Sequence, residues 1–241
     1  VARLKLELAE RAGTRTADVE VQRLYNLGSA TRNPESARAH QEEVAHIGVK
    51  IAFDIPAPRI YPLSPEVITT SDAIAVQGDR TSGEVEIVLL MADTLYVGVG
   101  SDHTDRTLEK VSILWSKQAC ANVLAPTLWR FDEIAAHWDS CRLRSWVDGR
   151  LYQDCGVDIF KRPEELLDIV RTRTGSLPAR DFAIFCGTYV SVDKSVGFGS
   201  DWRIELADPK LGRTLGHSYR VQNLLDEIRP EFRVPLAAKP L

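Results

Sequence analysis

The sequence predicts an α+β fold that is mainly β, a mixed sheet structure with helices around it. Three observations carry this expectation. Apolar stretches of strand length and period outnumber those with helical period. Asp148-Gly149, inside CRLRSWVDGRLYQ, is a strong signal for a two-residue hairpin turn. Only three segments carry the punctuation of helices. With 241 residues, 44% of them hydrophobic, the chain is long enough to bury a full core.

In chain order, LKLEL (4–8) and DVEVQRLYNLG (18–28) alternate as strands. RNPESARAHQEEVAHIG (32–48) reads as a helix, with Asn33 as N-cap, Pro34 at the first helical position and Gly48 closing the end. The Pro-rich FDIPAPRIYPLSPEV (53–67) suits neither a helix nor a central strand, so it is expected to be an ordered connection. It divides a small N-terminal part, 1–65, from a main domain, 66–241. EVEIVLL (84–90) and LYVGVGSD (95–102) flank the link MADT as a hairpin pair. DRTLEKVSILWSKQA (105–119) is expected to be one helix with Leu108, Val111 and Trp115 on its apolar face. RPEELLDIVRTRT (162–174) is a Pro-started amphipathic helix, and DFAIFCGTYVSV (181–192) and DWRIELADP (201–209) are strands.

Composition excludes several functions. The net charge is −4, and the Lys and Arg residues are scattered, which argues against a nucleic-acid partner. No apolar run approaches the roughly 20 residues needed to span a bilayer, so no membrane role is expected. Cys120, Cys141, Cys155 and Cys186 form no CxxC pair, and the first residues have no signal-like character, so a reducing cytoplasm is expected.

Strand parity raises a chemical question. In GEVEIVLL, Glu84 and Glu86 project to one face. If the hairpin turns about Asp93, Glu84 faces Asp102 across the pair, and Glu86 faces Gly100, whose missing side chain would leave room. Opposed like charges on a sheet are unfavourable. A hard divalent cation, Mg²⁺ or Mn²⁺, reverses that sign, because three converging carboxylates are suitable ligands. A solvated edge strand carrying an ExE satisfies the same spacing.

The order of motifs resembles the fumarylacetoacetate hydrolase superfamily. The corresponding residues are His40 and Glu43 in AHQEE, Glu84 and Glu86 in GEVE, and Asp102 and Arg106 in SDHTDR. They continue with Lys117 before Pro126, and with Gly187 and Thr188 in FCGTY; GFGSDWRIELADPKLGRTLG resembles the family's closing segment. The resemblance spans residues 24 to 220. It departs in a short interval between Glu86 and Asp102, in GTYVS where the family has a GTPxG turn, and in Ser101 where many relatives carry Asn. These departures suggest a divergent bacterial branch lacking a loop over the metal.

The resemblance implies a mixed β-sandwich roll, a homodimer and one divalent cation on Glu84, Glu86 and Asp102. It implies a hydrolase that cleaves a C–C bond in a small 2-oxo acid or 1,3-dicarbonyl. His40 and Glu43 would activate water, Lys117 and Arg106 would stabilise an enolate and hold a carboxylate, and Gly187 and Thr188 would contact substrate. The same site without a positioned water would support a decarboxylase, tautomerase or hydratase. A non-catalytic relative that binds a small acid is the remaining alternative, although such a module has no need of a general base.

Local spacing is compatible with these roles. His40 and Glu43 are three apart on a helix and therefore neighbours, as many surface Glu–His pairs are. Arg106 and Lys117, eleven apart, would share the face opposite Leu108, Val111 and Trp115. His46 reads as ornamental. GVGSDH begins a dinucleotide-type GxGxxG, but His103 takes the third Gly position and no βαβ unit precedes it. His137 and Cys141 lack a second ligand pair at zinc spacing. His103 either supports Asp102 or points away from it.

Overall fold

In the computed structural model, which describes residues 1–49 and 55–236, the alternating N-terminal stretch forms a hairpin of β1 (Ala2–Glu10) and β2 (Gly13–Val21). The expected strand 18–28 is divided at Gln22. Its second half is β3 (Arg23–Gly28), which lies elsewhere in the sheet, and the Gln22 N–H is taken by Asp181 O at 2.7 Å. Helix α1 (Pro34–His46) starts as its punctuation requires: Asn33 Oδ1 accepts the Glu35 N–H at 2.8 Å. Gly48, with φ of +92°, turns the chain away at its end. In the Pro-rich connection, Phe53 and Asp54 lie outside the described residues. The rest includes β4 (Arg59–Leu63), at one end of the strand order, the place in a sheet where a proline such as Pro62 is tolerated.

Five short or central strands follow: β5 (Ile68–Thr69), β6 (Ala73–Val76), β7 (Thr81–Ser82), β8 (Val85–Met91) and β9 (Leu95–Asp102). After β10 (Thr104–Asp105), the expected single helix is two, α2 (Arg106–Glu109) and α3 (Ile113–Gln118). Asp105 starts α2 by accepting the Thr107 and Leu108 N–H groups, and the break falls where Ser112 caps a second helix by accepting the Trp115 N–H. The expected core face is outward, with Val111 73% and Trp115 62% exposed, while Arg106, Glu109 and Lys117 are buried. Ion pairing, described below, outweighs apolar patterning in this segment.

The remaining elements are β11 (Asn122–Leu124), β12 (Thr127–Arg130), β13 (Arg142–Val147), β14 (Arg150–Gly156), α4 (Pro163–Arg173), β15 (Phe182–Phe185), β16 (Asp201–Asp208) and β17 (Arg213–Asn223). Asp148 and Gly149, at φ +48° and +76°, make the two-residue turn between β13 and β14. The expected strand 181–192 stops at Phe185.

A ten-stranded mixed sheet runs β2-β1-β12-β9-β8-β15-β3-β4, with β11 joining β9 to β5. A five-stranded sheet, β14-β13-β16-β17-β6, packs against it. Strand β8 is buried on both faces. Val85, Ile87 and Leu89 pack between the sheets with Leu143, Ile204 and Leu206, whereas Val88 and Leu90 join Leu4, Leu6 and Phe185 on the other side. A one-residue slip would push Glu84 and Glu86 into the apolar layer between the sheets, so the register is strongly specified. This α+β, mainly β architecture is the one expected. Among the described residues, no helix is long and apolar enough to cross a membrane.

Candidate metal centre

The β8–β9 hairpin has the expected register. Glu86 lies opposite Gly100 and Val85 opposite Ser101, and the Asp102 N–H donates to Glu84 O at 3.0 Å. Glu84, Glu86 and Asp102 are all buried, and each offers one oxygen such that the three lie within 4.8 Å of one another. The space expected at Gly100 is not left open for a ligand. A Cβ there would stand 2.5 Å from Phe185 Cε1 and 2.8 Å from Val123 O, so this glycine admits the Phe185 ring against the strand.

Two buried cations compensate the cluster. Lys117 Nζ is ion-paired with Asp102 Oδ2 and lies 3.3 Å from Glu84 Oε2. Arg106 gives Nη2 to Glu84 Oε1 (2.8 Å), Nη1 to Glu109 Oε2 (2.8 Å) and Nε to Ser82 Oγ (2.6 Å). Burial opposes the Lys117 charge, but Asp102, Glu84 and Glu86 outweigh it and hold its pKa well above the usual range. Burial likewise opposes ionised Glu84, yet Lys117, Arg106 and His40 hold its carboxyl well below the usual range. Glu86 feels Lys117 too, but among the described residues it closes no ion pair. Burial and the neighbouring Asp102 push it well up.

His40 and Glu43 come from α1 to the rim of this cluster. His40 Nδ1 is 3.0 Å from Glu43 Oε2 and its Nε2 is 3.4 Å from Glu84 Oε1. Glu43 is fixed in turn by the Ser191 N–H, 3.0 Å from its Oε1. Burial would lower the imidazole pKa, but the hydrogen bonds and charges of Glu43 and Glu84 raise it to about 9. His46, on the same helix, is exposed.

Gly187 and Thr188 lie just past β15. At φ +84°, Gly187 adopts a left-handed conformation, and its N–H donates to Glu86 Oε2 at 2.8 Å. The Thr188 hydroxyl donates to Val85 O at 2.9 Å. All nine residues singled out in the sequence are thus in one place. A pocket of about 50 Å³ opens onto Glu84 and Glu86, and is lined also by His40, Lys117, Tyr61 and Thr188. Arg106 does not line it.

The donor set fits a hard divalent ion. It consists of three buried carboxylates, and among the described residues Asp102 Oδ1 meets only the neighbouring Asn26 amide, whose Nδ2 closes no hydrogen bond of good geometry with it. A buried anionic oxygen without a well-made hydrogen bond is costly unless something else takes it.

Residues 28–219 match a family model described as "Protein of unknown function (DUF2848)". The chain belongs to the DUF2848 family. No curated protein matches it by sequence. Solved structures do resemble it. The 5-carboxymethyl-2-hydroxymuconate delta-isomerase from Mycobacterium smegmatis is 14% identical, with TM-score 0.60, over 92% of this chain and 99% of that one. A fumarylacetoacetate hydrolase family protein from yeast is 14% identical, with TM-score 0.60, over 84% and 93%. The fumarylpyruvate hydrolase from Pseudomonas aeruginosa, solved with Mn²⁺ and pyruvate, is 17% identical, with TM-score 0.59, over 92% and 98%. At these identities the likeness establishes the fold, and the DUF2848 chain has the fumarylacetoacetate hydrolase fold that its motifs suggested.

The structure also adds residues that spacing did not reveal. His103 turns away from the carboxylates: Nδ1 meets Tyr219 Oη at 3.1 Å and Nε2 meets Thr81 Oγ1 at 2.9 Å. Burial and Arg106 lower its pKa to about 3, so this histidine is neutral. In this DUF2848 chain His137 pairs with Asp208, and all four cysteines are buried and free. Glu109 could have been read from its i, i+3 relation to Arg106. Asn26 and Ser191 could not, because each reaches the site from a distant strand or loop.

Proposed function

We propose that this protein is a divalent-metal-dependent enzyme that cleaves a C–C bond in a small 2-oxo acid or 1,3-dicarbonyl. The observation carrying this reading is the buried Glu84–Glu86–Asp102 cluster, with Asp102 Oδ1 short of a well-made hydrogen bond, directly beside an oriented His40–Glu43 pair. Glu84, Glu86 and Asp102 would hold one Mg²⁺ or Mn²⁺. That ion supplies Lewis-acid charge to bind and polarise the oxygens of the substrate, and its charge disfavours a protonated His40.

The chain's own groups divide the remaining work. Glu43, anchored by Ser191, fixes the His40 ring through Nδ1, and Nε2, 3.4 Å from Glu84 Oε1 at the pocket, is the nitrogen that would take a proton from water. Lys117 lines the pocket and is the cation placed to meet negative charge that develops on an enolate oxygen. Arg106, with its three nitrogens on Ser82, Glu84 and Glu109, holds Glu84 in position. The Gly187 N–H fixes Glu86. The fold likeness to hydrolase and isomerase structures supports an enzyme of this general kind.

A second reading, decarboxylation or tautomerisation through the same enolate, is supported by the fold likeness to a delta-isomerase. A turnover screen of 2-oxo acids and 1,3-diketones with Mn²⁺ separates them. Hydrolysis lost in His40→Ala, with decarboxylation retained, supports both the site and the base; no turnover of any such acid by the metal-loaded protein would defeat the proposal.

A further inference from the structure

The site lies where one strand leaves the sheet, and that departure leaves a backbone problem. Along β8, residues alternate in which neighbour they bond. The Asp102 N–H bonds Glu84 O on the β9 side, whereas Ile87 O takes the Cys186 N–H on the β15 side. Val85 therefore directs both its N–H and its C=O toward β15. The β8–β15 register ends at Val88 opposite Phe185, and the chain turns away through Gly187. Val85, between the two glutamates and opposite Ser101 of β9, therefore has no strand to bond on its β15 side.

Two side chains take the place of the missing strand. Gln153 of β14, buried and belonging to the other sheet, accepts the Val85 N–H on Oε1 at 3.0 Å. The Thr188 hydroxyl donates to Val85 O. Gln153 Nε2 then donates to Thr188 Oγ1 at 2.8 Å and to Tyr189 O, while its Oε1 also accepts from Ser145 Oγ at 3.0 Å. Two donors and two acceptor positions of one amide are all in use, and the partners fix which end is oxygen.

We infer that Gln153 is a positioning residue for the carboxylate cluster: from the second sheet, it locks the Glu84–Val85–Glu86 segment to the loop whose Gly187 N–H orients Glu86. This rests on the metal-dependent reading for its consequence, but its structural content stands apart from it. Loss of Gln153 frees Val85 and lets the 187–189 loop drift, so Glu86 loses its fixed orientation. The expected effect on cation affinity is of the size seen for groups that orient ligands, about ten- to a hundredfold.

The test uses Gln153→Met, which keeps volume and removes every hydrogen bond, and Thr188→Val, which removes one link at a half-buried position. Amide exchange in the metal-free protein reads the clamp directly. Both variants should speed exchange at Gly187 by about tenfold, and Gln153→Met should do so at Val85 as well, with Leu89 in the same strand unchanged. Mn²⁺ titration should show weaker binding in both, with the double variant no weaker than Gln153→Met alone. Unchanged Gly187 exchange in either variant would overturn the inference, as would Mn²⁺ affinities equal to that of the parent. If the parent binds no Mn²⁺, the proposed function fails, and the exchange result alone decides the role of Gln153. If Gln153→Met does not fold, Thr188→Val carries the same expectation for Gly187.

Discussion

Replacing Lys117 by Met tests how charge is balanced in the cluster. Lys117 Nζ is 3.3 Å from Glu84 Oε2 and also paired with Asp102. At an effective dielectric constant of 20, the Glu84 contact alone corresponds to about 5 kcal/mol of attraction. Desolvation of the ammonium offsets part of this, and removing one partner of a buried pair typically costs about 3–5 kcal/mol. For a chain of this size 1 kcal/mol moves Tm by roughly 2–4 °C, so the metal-free variant should melt roughly 6–20 °C lower. Raised pKa values of Asp102 and Glu86 let protonation relieve some of the repulsion, so the deficit should widen as pH rises. The assay is thermal unfolding of metal-stripped protein with and without Mn²⁺. At a hundred times its Kd, the ion adds about 2.7 kcal/mol to the parent, and it should add more to the variant because it also replaces the missing positive charge. Equal melting of variant and parent without metal, or equal stabilisation of both by Mn²⁺, would refute this reasoning.

Three other outcomes are expected. Glu86→Gln should stabilise the metal-free protein at neutral pH while abolishing Mn²⁺ binding. The sign follows from its raised pKa: the contribution of Glu86 is fully present below its unfolded value of 4.5 and is lost as pH rises toward the folded value, a loss Gln does not suffer. Urea titrations at two pH values read this. For the same reason, Mn²⁺ binding by the parent should release a proton and tighten with rising pH, which calorimetry in buffers of different ionisation enthalpy measures. Trp115→Ala should change stability by less than about 0.5 kcal/mol, since the ring is 62% exposed; a loss of several kcal/mol would mean that the outward face of α3 is covered.

The site was more legible than the helices around it. Strand parity placed Glu84, Glu86 and Asp102 together because a side-chain period of two leaves little freedom once the hairpin turn is located. The segment 105–119 was misread because Val111 and Trp115 fit a helical stripe; periodicity sees hydrophobicity but not the buried Arg106–Glu84 and Lys117–Asp102 pairs that turn the segment over. Gly100 was read as leaving room beside Glu86, whereas the space is filled by the Phe185 ring, which only the tertiary fold supplies. The early end of β15 was hidden for a similar reason, since FAIFCGTYV is apolar well past Phe185 and only the left-handed Gly187 stops the strand. His103 could not be assigned from sequence, as parity says which face it takes but not that Tyr219 and Thr81 wait there.

Calorimetric titration of metal-stripped protein with Mn²⁺ in the presence of oxalate, a mimic of a pyruvate enolate, asks whether Glu84, Glu86 and Asp102 hold a metal ion. One ion should bind per chain, with binding abolished in Glu86→Ala. Absence of binding, or binding that survives Glu86→Ala, would mean that Glu84, Glu86 and Asp102 do not form a metal centre.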